Sequence, residues 1–135
     1  MNNLSFNEGY KEFTINNNPN RVIRFNPTDV GLVERFEVAS KALEGVASRI
    51  SEDESDAEVI AKLNAEIKAQ IDYIFNQPVS EIVFGAQSPM APVGGKLLFE
   101  RFLEAVLPVI KENINKEKKE SAERVGHYVK AAQKH

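Results

Sequence analysis

Three stretches of the chain repeat apolar residues at intervals of three and four, the spacing of a helix that buries one face. The apolar positions of the first stretch are Leu32, Phe36, Ala39, Leu43, Val46 and Ile50. Those of the second are Ile60, Leu63, Ile67, Ile71 and Ile74. Those of the third are Leu98, Phe99, Phe102, Leu103, Val106 and Ile110. The pattern predicts three helices, and the short polar turn between the first two predicts that they form an antiparallel pair.

The N-terminal region follows a different pattern, in which apolar and polar residues partly alternate with period two. Residues 10–25 are therefore predicted to form a β-hairpin with Phe13, Ile15, Ile23 and Phe25 on one side. A cluster of asparagines with one proline lies between the two strands and is typical of a turn. Because an isolated hairpin is only marginally stable in water, this one is expected to lie on the helices or to pair with another chain.

Polar residues and glycine mark the expected ends of the helices. Thr28 or Asp29 is placed to cap the first helix by accepting from its free amides. Ser55 and Glu58 have the spacing of a capping box at the start of the second helix, within an acidic turn that we expect to be solvated. A further helix of one turn is expected to end at Gly85.

These elements predict a mainly α fold of the α+β class: a helical bundle with a small N-terminal β-hairpin and a projecting charged C-terminal helix or tail. Residues 1–115 are expected to form a single domain, and residues 116–135 the charged helix or tail, because residues 116–124 are charged on every face. The expected helix content is about half to two-thirds, above the ~30–35% that is usual for globular proteins.

The net charge of −3 is unevenly distributed along the chain. Residues 111–135 carry seven Lys or Arg and four Asp or Glu, a balance of +3, which leaves −6 for residues 1–110. This basic end is too weak to predict nucleic-acid binding, which is typical of domains with a pI above about 9. The chain contains no cysteine, no apolar run of about 20 residues and no basic start followed by an apolar stretch, so we expect a cytoplasmic protein without a membrane segment.

Candidate catalytic and cofactor-binding motifs are each incomplete. Residues 94–96 (Gly-Gly-Lys) are similar to part of a phosphate-binding loop, but Met90 and Leu97 replace the glycine and the hydroxyl residue that the loop requires. The histidines, His127 and His135, have no acidic residue at the spacing of a metal ligand. We therefore expect no catalytic residues, no cofactor and no metal site, and a protein that is not an enzyme.

Several short motifs resemble the siphophage-type tail assembly chaperones of Gram-positive hosts and related prophage proteins. The motifs are Ile74-Phe75, Pro78-Val-Ser-Glu-Ile-Val-Phe-Gly85, a Ser-Pro loop, Phe99-x-x-Phe102-Leu103-x-x-Val106-Leu107-Pro108-x-Ile110, Phe13-Thr-Ile15 and Arg21-Val-Ile-Arg-Phe25-Asn-Pro27. The resemblance covers residues 10 to about 115. One departure is Asn76, which stands where members of the family often have glycine.

The resemblance implies a chaperone that binds and solubilises the tape measure protein during tail assembly and is shed as tail tube subunits polymerise. The implied partners are the tape measure protein and possibly the tail tube protein, and we expect homo-oligomers. Our hypothesis is that Phe75, Phe84, Phe99 and Phe102 flank a groove that binds amphipathic helices. The alternative interpretation is that these four residues, or at least three of them, belong to the core.

Two other functions remain compatible with the sequence. A structural component of the virion, such as a head–tail connector or a tail-associated protein, would use the hairpin to extend a β-sheet between subunits. A nucleic-acid-binding regulator would use the basic tail, and its affinity would fall steeply with salt.

Overall fold

A computed structural model describes residues 1–50 and 56–133, with the side chains of residues 1–49 and 56–120. Its elements are β1 (Lys11–Ile15), β2 (Asn18–Phe25), α1 (Val30–Ile50), α2 (Ala57–Phe75), α3 (Ser80–Phe84), β3 (Pro92–Val93), β4 (Lys96–Leu97) and α4 (Leu98–Gln133). The structure is 59% helical, which confirms the predicted mainly α fold with an N-terminal hairpin.

The N-terminal hairpin turns more tightly than the sequence predicted. Asn16 and Asn17 both have positive φ angles, 50° and 60°, as the two central residues of a type I′ turn require. Asparagine tolerates this left-handed backbone, so β2 begins immediately afterwards at Asn18. The pairing register shifts between Thr14 and Ile15, and the extra residues of β2 form an irregularity beside the turn.

The hairpin lies on the helices through the face that the alternation predicted. Ile23 and Phe25 of β2 are buried, and Phe13 and Ile15 of β1 are half-buried against the same core. The hairpin is thereby stabilised by tertiary packing, as an isolated two-stranded sheet requires.

The first two long helices pack as the predicted antiparallel pair. Arg35 donates to the carbonyl of Ile74 at 3.0 Å, while Arg49 forms an ion pair with Glu66 at 2.8 Å, so the start of α1 lies near the end of α2. The described buried residues of the two helices are Leu32, Ala39, Leu43, Val46, Leu63, Ile67, Ile71, Ile74 and Phe75. One position was predicted wrongly: Ile60 is 38% exposed, and Val59 packs against the core in its place.

Aspartates cap both helices of this pair. The Asp29 carboxylate accepts from the Gly31 amide at 2.9 Å, which confirms one of the two predicted caps of α1. At α2 the cap is Asp56, whose carboxylate accepts from the Glu58 amide at 2.9 Å. The predicted cap Ser55 lies outside the described residues, and the helix begins one residue later than the capping box implied.

Two side chains that are distant in the sequence fix the short helix α3 at both of its ends. The Asp72 carboxylate accepts from the amide of Ser80 at 2.7 Å and from its hydroxyl at 3.2 Å. Arg21 of β2 donates to the carbonyl of Ile82 at 2.9 Å and to that of Val83. A helix of one turn leaves most of its backbone groups without an internal partner, so these contacts determine where α3 lies.

The glycine pair that precedes the last helix forms a defined turn. Gly94 and Gly95 have φ angles of 60° and 87° and connect the two-residue strands β3 and β4, which pair antiparallel. Two glycines satisfy the backbone that a two-residue hairpin needs. The first amides of α4, those of Leu98 and Phe99, donate to carbonyls of the preceding loop at 2.8 and 2.9 Å.

The last helix continues through Pro108 and across the predicted domain boundary at residue 115. Phe99, Val106 and Ile110 are its buried residues, whereas the side chains of residues 115–120 are exposed. The predicted C-terminal helix or tail is thus a helix as far as Gln133, continuous with the helix that packs on the core.

We predict that Asp72→Ala will lower the free energy of unfolding by about 1–2 kcal/mol, because the amide and hydroxyl of Ser80 lose their acceptor. Glu37→Ala is the matched control, since Glu37 is an exposed acid in α1 and its removal should cost no more than about 0.5 kcal/mol. Urea unfolding of both variants measures the difference, and equal losses would show that Asp72 does not fix α3.

A second prediction concerns the exposed end of α4. Removal of residues 116–135 should leave the melting transition nearly unchanged, because the described side chains beyond residue 114 contribute no buried apolar surface. Calorimetry of the shortened protein provides the test. A large fall in the melting temperature would mean that this segment packs on the body or on a neighbouring chain.

Candidate binding groove

An apolar groove of about 380 Å³ separates the hairpin from the last helix. Strand β1 forms one wall, α4 forms the other, and α3 and the β3–β4 hairpin contribute to the floor and one end. The lining residues are Phe13, Thr14, Ile15, Asn16, Ile23, Phe25, Val83, Phe84, Val93, Leu98, Arg101, Phe102, Ala105, Val106 and Val109. Among these described residues Arg101 is the one charged side chain, so the groove is suited to apolar groups.

A continuous series of five phenylalanine rings, the aromatic chain, connects the two walls beneath the groove. The ring of Phe13 stacks on that of Phe25 with centroids 4.5 Å apart, and Phe25 meets the edge of Phe75 at 4.9 Å. Phe102 of α4 then lies 6.0 Å from Phe75 and 6.1 Å from Phe84. The series passes from β1 through β2 and α2 to α4 and α3, so it sets the distance between the walls.

The four phenylalanines of the sequence hypothesis occupy two kinds of position. Phe84 and Phe102 line the groove, whereas Phe75 and Phe99 do not. Phe75, Phe84 and Phe99 are only 4%, 3% and 2% exposed, so they are core residues that cannot themselves cover a partner while the fold is intact. For these three the alternative interpretation is the correct one, because their rings complete the packing between helices. Phe102 is half-buried and presents part of its ring to the groove.

Two groove residues of α4, Ala105 and Val109, were not predicted from the sequence, although a signal for them exists. Leu98, Phe102, Ala105 and Val109 form a second stripe at steps of four, three and four, adjacent to the buried stripe. A helix that packs on one neighbour needs only one apolar stripe. Because α4 has two adjacent stripes, its apolar surface extends beyond the core and onto the wall of the groove. The sequence pattern does not predict that β1 lines the groove, because the apolar and polar residues of β1 alternate as they do in any half-buried strand.

Polar contacts close the groove at both ends. At one end the Lys11 ammonium donates to the Asn113 side chain at 2.7 Å and joins β1 to α4. At the other end Arg101 donates to the carbonyls of Val93 and Gly94, each at 3.0 Å. The twelve residue steps from Arg101 to Asn113 correspond to about 18 Å of helix. The groove is therefore long enough for three or four turns of an apposed helix or for a short strand.

A second concavity, of about 630 Å³, is polar and lies beside the end of α2. Both of its arginines are already engaged within the chain. Arg35 pairs with Asp29 at 3.7 Å as well as with the end of α2, and the Arg24 guanidinium lies 4.5 Å above the ring of Tyr10. Because its cations are occupied, this concavity is a weaker candidate for ligand binding than the apolar groove.

The titratable side chains of the described residues are half-buried or exposed. No group of three or more potential metal ligands occurs among them, and the side chains of His127 and His135 lie outside the described part of the chain. The Lys96 ammonium donates to Glu104 and holds the pKa of that carboxyl below its ordinary value. This contact ties β4 to the exposed side of α4.

In the described part of the chain, no helix combines the length and the apolar character that a bilayer crossing needs.

Comparisons with known proteins do not add a relative. No family model matches the sequence, and neither a curated protein nor a solved structure matches it. The groove and the sequence motifs are therefore the features that bear on function.

The aromatic chain predicts a difference between two substitutions. Phe75→Ala should lower the free energy of unfolding by about 3–5 kcal/mol, because it leaves a cavity among buried residues. Phe102→Ala should cost clearly less, since part of that ring already faces solvent in the groove. Chemical unfolding of the two variants tests the ranking, and a smaller loss for Phe75→Ala would contradict the assignment of core and groove.

Proposed function

We propose that this protein is a non-enzymatic assembly chaperone that binds amphipathic helical segments of a long partner in the groove between β1 and α4. The resemblance to tail assembly chaperones suggests that the partner is the tape measure protein of a phage or prophage tail. The observation that carries the proposal is the groove itself: an apolar surface about 18 Å long, open to solvent, with the described lining residues almost free of charge.

The geometry of the groove favours an apolar stripe as its ligand. One wall offers the half-buried residues Phe13 and Ile15, and the other offers the second stripe of α4, including Phe102 and Val109. A helix that carries apolar residues at intervals of three and four would place them between these walls and keep its polar face in water. Burial of such side chains would contribute about 25 cal/mol for each Å² of apolar surface removed from water.

A chaperone of this kind needs many moderate sites rather than one tight site. A single groove covers only three or four helical turns, so a long coiled-coil-prone partner would require many copies of this chain along its length. Copies bound side by side on one partner would raise the overall affinity through avidity. Moderate affinity at each groove would also allow the copies to be displaced as tube subunits assemble.

The test is co-expression with the tape measure protein encoded in the same tail gene module. The parent protein should keep the partner in the soluble fraction, and Ala105→Glu should abolish this effect, because Ala105 is an exposed residue of the groove wall and glutamate places bulk and charge there. Ala69→Glu is the matched control: Ala69 is an exposed alanine of α2, outside the groove, and the same change there should preserve activity.

Two results would contradict the proposal. If Ala105→Glu and Ala69→Glu, both confirmed as folded by circular dichroism, protect the partner equally, the groove is not the binding surface. If the parent gives no protection and is found in fixed copy number in purified particles, the protein is a structural virion component. The free edge of β1 would then be the first place to look for contacts between subunits.

A further inference from the structure

The first ten residues lie outside any helix or strand and form an arm that carries exposed apolar side chains. Leu4 and Phe6 are 88% and 74% exposed. They alternate with the polar residues Asn3, Ser5 and Asn7. This is the period-two pattern of a strand with one apolar face, and in this chain alone that face has no apolar surface to cover it.

The groove offers an unsatisfied strand edge beside an apolar surface. Within the described residues β1 pairs with β2 alone, so the backbone groups on its other edge have no strand partner. That edge faces α4 across the groove, since Phe13 to Asn16 line one wall while Phe102 and Val109 line the other. An added strand would gain main-chain hydrogen bonds from β1 and would bury alternate side chains against α4.

Glu8 and Tyr10, at the end of the arm that joins β1, are held by contacts away from this free edge. Asn26, which follows β2, donates to the carbonyl of Glu8 at 3.1 Å, and Arg24 of β2 lies over the ring of Tyr10. The arm thus continues past the end of β2, where Glu8 and Tyr10 line the polar concavity and not the groove. To reach its own groove it would have to reverse direction at Gly9 and break these contacts.

The geometry points to an exchange of arms between copies: the N-terminal arm of one molecule adds as a strand to β1 of a second copy, with Leu4 and Phe6 entering the groove. The dimensions agree. The five residues Asn3–Asn7 span about 17 Å when extended, as do the five residues of β1. The groove wall from Leu98 to Val109 is about 17 Å of helix. Each copy has one arm and one groove, so the exchange closes a dimer or continues as a filament.

One consequence is that the arm and a helical partner compete for the same groove. Self-association would then cover the apolar surface until a partner displaces the arm. The inference itself does not depend on the proposed partner, because both of the following experiments use this chain alone. Failure of one proposal is therefore distinguishable from failure of the other.

The first experiment uses the absence of native cysteine from the chain. A protein with Leu4→Cys is mixed with one carrying Ala105→Cys and oxidised, and the disulfide-linked heterodimer is quantified. The control mixture replaces Ala105→Cys with Ala69→Cys, an exposed alanine outside the groove. Arm exchange predicts several-fold more heterodimer with Ala105→Cys, and equal yields would overturn it. A single chain with both Leu4→Cys and Ala105→Cys that links only to itself would also overturn it, since the arm would then occupy its own groove.

The second experiment measures the mass of the protein in solution by sedimentation. Leu4→Ser combined with Phe6→Ser should convert the oligomer into a monomer, whereas Val38→Ser, at a position 51% exposed in α1, should leave the oligomer intact. The arm substitutions do not touch the core, so loss of folding does not confuse the result. A parent protein that is monomeric at all concentrations, or an oligomer that is insensitive to the arm substitutions, contradicts the inference.

Discussion

The arrangement of this protein depends on the contacts of the aromatic chain, which joins the N-terminal hairpin to α2, α4 and α3. Its central ring, Phe75, lies at the end of α2 and meets Phe25 of the hairpin on one side and Phe102 of α4 on the other. Each aromatic pair adds about 0.5–1.5 kcal/mol beyond the burial of its surface. The hairpin and α4 are therefore held at a fixed separation through a ring that belongs to neither. The groove is the space that this separation leaves open.

Polar contacts also position the smallest elements, because these elements have too few internal contacts to fix their own place in the fold. Helix α3 has a single turn, and its position relies on Asp72 at its start and Arg21 at its end. By fixing α3, these two residues also fix Phe84, which forms part of the groove floor. The groove thus has a rigid floor and two walls of different character: a helix with satisfied backbone groups and a strand with a free edge. Under the two proposals, this asymmetry would let one surface accept either a helix or an added strand.

The long elements could be predicted from the sequence because their stability comes from a pattern that the sequence displays directly. The stripes of α1 and α2 are buried almost as expected, and Asn76, which caps the end of α2, adopts a left-handed backbone with φ 53°. The groove could be predicted only in part. Phe84 and Phe102 line it, but nothing local distinguishes them from Phe75 and Phe99, since exposure depends on which neighbours the tertiary fold supplies. The contacts of α3 join residues up to 62 positions apart, and the contact of β1 with α4 joins residues 102 positions apart, which no periodicity reveals.

The central claim is that the groove between β1 and α4 is the binding surface, and methyl NMR tests it most directly. The protein would be labelled at its Ile, Leu and Val methyl groups and titrated with amphipathic helical peptides from the tape measure protein. The account predicts that the methyl signals of Ile15, Leu98 and Val109 shift, while those of the exposed residues Val38 and Ile60, on α1 and α2, do not. Shifts at Val38 and Ile60 without any at the groove would place binding on the outer face of the helices and contradict the account.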